Sequence, residues 1–454
     1  MKRFKLFSLV LLMLLVSTPA LSAQKSAPLP PDAPRKGVTL KVEEVGDESF
    51  NDAEERRFDS LEKRLDMLEK GDFLFESQGE VFYLDLTGRI DLDAVAVPSG
   101  YPGNTSFNVR RARLGAIAHF YDKYHLRLEG GLDGGVASLK DAFLEAELLP
   151  YLTLRAGHFK VPLGLERIQD SRDIPFVERS VATTNLTSER EIGIVAYGRI
   201  YHDIFGYGAG VFNGDGSDAG GDNNSQKEIV LRSDLQLLAL VENPFFQKLR
   251  IGGAIALGFG DDGPIHGGSL ETRSGLEFLT INPNARYKGL HVRSSLEVSH
   301  LAGPVSLMYE YISSFQGKVF LGSSPPIISH NYVVRGHTGA IAYNITGEEA
   351  TFGKLIPKSP FSFGKEGWGA VQVAARISAL NVNDMFLETD TDQGPLFTGA
   401  NEALELDLAV NWFFNDHMAL KLDFSQTWLN EAVDYEGREI DFEKAFTAQF
   451  SLVW

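Results

Sequence analysis

From residue 71 to the C-terminus, apolar side chains recur at every second position in short runs, and polar or charged residues fill the places between them. In Arg111–Phe120, Ala112, Leu114, Ala116, Ala118 and Phe120 share one face, while Arg111, Arg113 and His119 share the other. Tyr124–Glu129 repeats the pattern after the short connection Tyr121–Lys123, which predicts a hairpin. Leu144, Ala146 and Leu148 alternate with Glu145 and Glu147; after the turn signal Pro150-Tyr151, Leu152, Leu154 and Ala156 alternate with Thr153, Arg155 and Gly157. Further along, His291, Arg293, Ser295 and Glu297 oppose Val292, Leu296 and Val298. Glu405, Asp407 and Asn411 oppose Leu404, Leu406, Leu408 and Val410, and Lys421, Asp423 and Ser425 oppose Leu420, Leu422 and Phe424. The chain closes with Phe450, Leu452 and Trp454 on one side and Gln449 and Ser451 on the other.

A soluble β-sandwich packs its inner faces dry, so a charged face on so many strands is costly there. A transmembrane antiparallel β-barrel reverses the requirement, with the apolar face toward lipid and the polar face toward a wet lumen. The expected fold class is therefore all-β, a barrel over residues 71–454. Those 384 residues, at about 24 per strand and connection, predict about sixteen strands. The stretches 214–227, 261–268, 315–330, 353–366 and 389–401 read as long external loops. Tyr121–Lys123, Pro150-Tyr151 and Asn415-Asp416 read as short periplasmic turns.

Ahead of residue 71 the grammar differs. Lys2, Arg3 and Lys5 precede an apolar run, Leu6–Val16, and a small-residue stretch to Ala23, which predicts an export signal over 1–23. Residues 24–50 carry Pro28, Pro30, Pro31 and Pro34 and then polar and acidic residues, the composition of a flexible linker. Over 51–70, Phe58, Leu61, Leu65 and Leu68 fall at heptad spacing among charges, which predicts a short N-terminal helix with a coiled-coil seam. Such a short helix is marginal alone. It either joins copies of the chain or lies against its own domain.

Charge and composition narrow the partners. The formal charge is −18, becoming about −21 without the signal's three cations, which disfavours nucleic acid. There are no cysteines, so disulfides and thiolate metal sites are excluded. No His-Asp/Glu-Ser arrangement compels nucleophilic chemistry, and Gly131–Gly135 lacks the Gly-Lys-Ser/Thr ending of a phosphate loop. His119, His125 and His158 lie on separate strands without short ligand spacing and read as wall or interface residues. The chain is expected to be no enzyme and to need no cofactor or metal.

Seven blocks carry a further likeness: Asn108–Gly115 (NVRRARLG), Ala156–Glu166 (AGHFKVPLGLE), Glu178–Ser180, Arg190–Gly193, Gly210–Gly214, Tyr343–Glu348 and Asn411–Asn415. In this order they resemble the phosphate-selective porin O and P family over most of 80–454. The resemblance implies a sixteen-stranded, trimeric porin of the bacterial outer membrane, surrounded by lipid. Its basic lumen would passively guide anions, phosphate or polyphosphate in the characterised members, and a helical segment before the barrel is compatible with the family. The dense lysine cluster of the phosphate-specific members has no residue-by-residue match here. A general or cation-preferring pore, and a structural envelope tether acting through residues 24–70, therefore stay open beside the anion channel.

The residues expected to line the solute passage are Arg111, Arg113, Arg127, Arg155, Lys160 and Arg167. Guanidinium groups offer directed donors to oxyanions and lysine a mobile positive charge. A second reading has these cations pair with Glu129, Glu145, Glu147 or Glu166 and brace the wall. Pro162 and Gly164 interrupt the strand that begins near Leu152. The irregular stretch Val161–Thr187 is expected either to fold into the channel as a constriction, bringing Arg172 and Arg179 near Asp170, Asp173 and Glu178, or to form a surface hairpin.

Overall fold

The computed structural model describes residues 73–454 apart from 78–79, 122, 215–224, 266, 322–329, 365 and 384–393. The expected signal, linker and N-terminal helix lie outside the described residues. Sixteen strands form the wall: β1 (Glu80–Ala96), β2 (Ser106–Phe120), β3 (Tyr124–Asp133), β4 (Val136–Leu149), β5 (Leu152–Lys160), β6 (Arg190–Ile200), β7 (Phe205–Phe212) and β8 (Glu228–Leu235) make one half. The other half comprises β9 (Arg250–Pro264), β10 (Ala285–Ala302), β11 (Val305–Leu321), β12 (His330–Asn344), β13 (Ala370–Val382), β14 (Glu402–Phe413), β15 (Met418–Tyr435) and β16 (Arg438–Val453). Each pairs antiparallel with its sequence neighbours, and β1 pairs with β16 from Arg89↔Val453 to Ala96↔Phe446, so the sheet closes and has no free edge. A short leading strand, Phe73–Ser77, folds back on the start of β1. The C-terminal residue seals the seam. Gly88 and Trp454 exchange backbone hydrogen bonds of 3.0 and 3.1 Å. The indole of Trp454 lies where a side chain at position 88 would have to stand.

The two faces sort as the period-two pattern requires. Leu114, Leu126, Leu144, Ile194, Ile377, Leu408, Val410 and Leu422 are exposed on the outside, whereas Asp91, Arg293, Glu297, Arg376, Asp407, Asn411, Lys421 and Gln449 are buried on the inside. At the end of the barrel bearing the short turns, Phe361, Trp412, Phe414 and Phe450 form a chain of ring contacts, and Phe363, Trp368 and Trp454 are exposed nearby in sequence. The indoles of Trp368, Trp412 and Trp454, apolar rings with one polar N–H, suit a membrane–water boundary. Among the described residues no helix is long and apolar enough to cross a membrane.

One expected loop is on the other end of the barrel. The stretch 353–366, read as external, belongs to the connection between β12 and β13, on the same end as Asn415-Asp416. Phe361 N–H donates to the Phe414 carbonyl at 2.6 Å, and Lys354 lies 3.8 Å from Asp416. Length and glycine content alone misplace it, because strand direction, not loop length, decides the end. Tyr121–Lys123, Pro150-Tyr151 and Asn415-Asp416 are the tight connections expected.

The lumen is not evenly hydrated. Residues 267–284 and 394–401 fold inward at the long-loop end, where Leu270–Glu271, Glu277–Ile281 and Phe397–Gly399 form a small three-stranded sheet. Phe278, Leu279 and Phe397 pack there on the inward residues Val334, Leu380, Val382 and Leu429. This apolar cluster fills one side of the barrel's end. These inward positions are apolar because loops cover them and exclude water.

Candidate functional site

The strand β5 stops at Lys160, and the chain from Val161 to Glu189 turns into the lumen instead of crossing over the outside. Pro162 cannot continue the ladder, and Gly164 adopts φ 87°, a left-handed conformation that suits glycine. Two short helices follow, α1 (Leu165–Ile168) and α2 (Val181–Leu186); Ser180 caps the second by accepting from Thr183 N–H. Val161, Leu163, Ile174, Phe176, Val177 and Val181 are all buried. Of the two sequence readings, the constriction is the observed one.

An irregular backbone inside a barrel needs partners for its polar groups. The opposite wall supplies them. Val177 N–H donates to Asp423 at 2.9 Å, Val181 N–H to Glu405 at 3.2 Å, and Leu165 N–H to Glu310. Asn411 donates to the Pro175 carbonyl at 2.8 Å and Lys421 to the Ile174 carbonyl at 2.7 Å. Arg376 ties the pieces together: it meets Glu166 at 2.5 Å, Asp407 at 2.7 Å and Glu405 at 3.5 Å, and also donates to the Glu178 carbonyl. From the loop sheet, Arg273 reaches Asp407 at 2.9 Å and Asp423 at 2.8 Å. The charged inner faces of β13–β15 are therefore docking surfaces for folded-in chain.

Among the described residues, two cavities lie between the inward segment and strands β2–β11. One, of about 1020 Å³, is lined by Arg110, Arg111, Arg113, Lys140, Arg167, Arg179, Glu178 and Glu189 among others. The second, of about 640 Å³, is lined by Arg127, Arg155, Arg199, Arg232, Arg250, Tyr197 and Phe143 among others. Lys160, Asp170 and Arg190 line both, so this trio marks the boundary where the two meet. The first cavity carries nine basic and five acidic side chains, the second seven and four. Both linings are net basic in a chain whose total is −18.

All six expected residues line a cavity: Arg111, Arg113 and Arg167 the first, Arg127 and Arg155 the second, and Lys160 both. The five arginines also make ion pairs. Arg111 lies 3.2 Å from both Asp91 and Glu178; Arg113 lies 2.5 Å from Asp133 and 3.7 Å from Glu129. Arg127 pairs with Glu129 at 2.8 Å and Asp141 at 3.2 Å, Arg155 with Glu145 at 2.5 Å, and Arg167 with Glu189 at 3.4 Å. The Arg155 guanidinium also sits 4.4 Å from the Phe143 ring centre, a cation–π contact. Of the expected counterions, Glu129 and Glu145 are used; Glu166 is taken by Arg376 and Glu147 approaches His125. Lys160 differs, since its ammonium donates to the Gln169 carbonyl at 2.6 Å and the Ile168 carbonyl at 3.4 Å. Among the described residues no carboxylate lies within ion-pair distance of it.

Arg190, Lys140, Arg232 and Arg250 were not among the expected residues. Arg190 stands directly across from Lys160, a pairing that the alternation of its own strand does not reveal. The others depend on which half of the lumen stays open, and that is invisible in a strand's alternation.

Charges in the constriction shift as their surroundings demand. Burial pushes the Glu178 carboxyl up, but Arg111 and Arg110 outweigh it and bring its pKa down to about 2. Burial, reinforced by Arg167, lowers Arg179 to about 10. Burial also opposes ionisation of Asp170, yet Arg172 and Lys160 hold its carboxyl below the usual carboxylate range. Glu178 is depressed in the folded chain, so its contribution is fully present above its ordinary value of 4.5 and is lost as pH falls toward about 2. Acidification through that window is expected to loosen the constriction and increase current noise in single channels. Glu178→Gln should remove much of that pH dependence; an identical profile in the variant would assign the noise to other groups.

A closed sixteen-stranded barrel with an apolar belt, an inward-folded segment and net-basic cavities defines the class of outer-membrane β-barrel channels. The family model for phosphate-selective porin O and P matches residues 84–233 and 280–443, and the chain belongs to that family. It is a non-enzymatic channel of the bacterial outer membrane for small polar solutes, with basic residues lining its lumen. No curated protein matches the sequence. Among solved structures, the outer-membrane channel DcaP of Acinetobacter baumannii is similar at 10% identity, covering 84% of this chain and 99% of its own, with a TM-score of 0.51. OmpT of Vibrio cholerae covers 84% and 99% at 12% identity and a TM-score of 0.49. OmpF of Salmonella typhi, solved with daunomycin, covers 84% and 100% at 12% identity and 0.49. At such identities the likeness concerns the fold alone.

Proposed function

We propose that the channel passively conducts small hydrophilic anions, phosphate among them, as a homotrimer. Arg111, Arg113, Arg127, Arg155, Lys160 and Arg167 act as successive weak stations. The observation that carries this reading is the excess of basic over acidic side chains around both cavities within a strongly acidic chain. An anion entering such a lining gains favourable potential, and low-dielectric walls focus that field. Ion pairing moderates each arginine, and this suits conduction: a station must hold an ion weakly enough to release it. The family resemblance supports phosphate as a solute and three copies as the assembly.

Planar-bilayer recordings in potassium chloride and potassium phosphate gradients test the proposal. The expected result is stable conductance steps with reversal potentials set by the anion. Reversal potentials set by the cation would replace it with the cation-preferring pore. Correctly folded protein that never conducts would favour the structural tether.

A further inference from the structure

We propose that the cross-strand pair His119–His125 is a binding site for a divalent transition-metal ion of the copper, nickel and zinc class. The two residues stand directly opposite each other on β2 and β3, beside the tight connection at 121–123. His119 shares the inward face of Arg111 and Arg113, and His125 that of Arg127. Their Nδ1 atoms are 2.8 Å apart. Asp85 holds the His119 ring from behind, 2.9 Å from its Nε2, and the half-exposed Glu147 approaches His125 Nε2 at 3.5 Å. Tyr83 stacks on the His119 ring at 4.2 Å and 7°.

The chemistry follows from these contacts. A carboxylate only accepts, so Asp85 favours the His119 tautomer with its proton on Nε2, which leaves the His119 Nδ1 lone pair facing His125. The 2.8 Å contact is then a hydrogen bond in which His125 Nδ1–H donates to His119 Nδ1. A metal ion that displaces this one bridging proton gains both Nδ1 atoms as ligands. Imidazole nitrogens with a carboxylate on the far ring nitrogen are the usual ligand arrangement for borderline divalent ions, and the carboxylate fixes ring orientation and raises basicity. Metal–nitrogen distances of about 2.0–2.1 Å at tetrahedral angles require the nitrogens to separate to about 3.3 Å, an opening of roughly half an ångström. Antiparallel neighbours on one face are close enough for both side chains to reach one ion. Among the described residues no set of three or more His, Asp or Glu is poised as a closed metal shell. Water therefore completes this open site, and the ion exchanges freely with solution.

The test uses the full chain without an affinity tag, refolded in detergent and free of chelator. Cu²⁺ is titrated by calorimetry, with electron paramagnetic resonance to count coordinated nitrogens. The expected result is one ion more in the parent protein than in His119→Ala or His125→Ala, with a two-nitrogen signal that both variants lose. Asp85→Asn keeps both ligands and should weaken that ion by about tenfold to a hundredfold. His337→Ala, a histidine held elsewhere by Tyr309, should leave it unchanged. Equal stoichiometry and spectra in the parent and both alanine variants, with every protein folded by circular dichroism, would overturn the site and leave the pair bridged by a proton alone.

Discussion

Arg376→Met is expected to free the constriction while leaving a barrel in the membrane. The Arg376 guanidinium is fully buried, touches Glu166, Glu405 and Asp407, and lies 4.3 Å from the Phe176 ring centre. Methionine preserves much of the volume but leaves three carboxylates without that cation, and stripping one partner from a buried ionic cluster costs about 3–5 kcal/mol. The loss falls unevenly. The wall around position 376 is held by backbone ladders from Ala340↔Arg376 to Arg376↔Asp407, which the substitution does not touch. Glu166 and the Glu178 carbonyl belong to the inward segment, and their hold on the wall is what goes. Single-channel conductance should rise, and the stretch 161–189 should become open to protease in detergent. Arg376→Lys should fall between, because an ammonium restores charge without the planar donor fork. Parent-like conductance and protease resistance in Arg376→Met would mean that other contacts, such as Lys421 to Ile174, hold the segment unaided.

The wall was legible in the sequence because membrane and lumen impose opposite demands on alternate residues. Leu404, Leu408 and Val410 against Glu405, Asp407 and Asn411 state this directly, and the structure places them so. The break in the strand after Lys160 was also readable, from Pro162 and Gly164, but not whether the chain would then turn into the lumen or form a surface hairpin. What could not be read is which inner faces meet water and which meet protein. Leu380 and Val382 share the inward face of Arg376 and Ser378, yet they are apolar because the loop sheet covers them. Conversely, Glu405 and Asp407 look like lumen charges but are wholly buried partners of Arg376 and of the constriction. Both outcomes rest on contacts between residues far apart in sequence, which a local period cannot encode. For the same reason the six expected cations were found on cavity walls while their counterions were only half foreseen.

Lys160→Glu is expected to produce the largest change in ion preference. Lys160 lies where both cavities share their lining, beside Asp170 and across from Arg190. Its partners are carbonyls, so its charge is not cancelled by a bonded carboxylate as the wall arginines' charges are. At a pH where both side chains are ionised, reversing it changes the local charge by two. For an ion about 5 Å away, even bulk-water screening makes that worth about 1.7 kcal/mol, and a narrower, drier passage makes it larger. A change of about 1.4 kcal/mol is a tenfold change in preference, so the reversal potential in a chloride gradient should move decisively toward the cation. Lys160→Gln removes one charge and should move it about half as far, whereas Asp170→Asn should move it the other way. The differences should shrink in molar salt, where the screening length falls to about 3 Å. Reversal potentials that stay together across all three variants at low salt would show that ions do not pass this point. The two cavities would then be separate recesses in the wall, and the selectivity of the channel would have to be sought outside the trio.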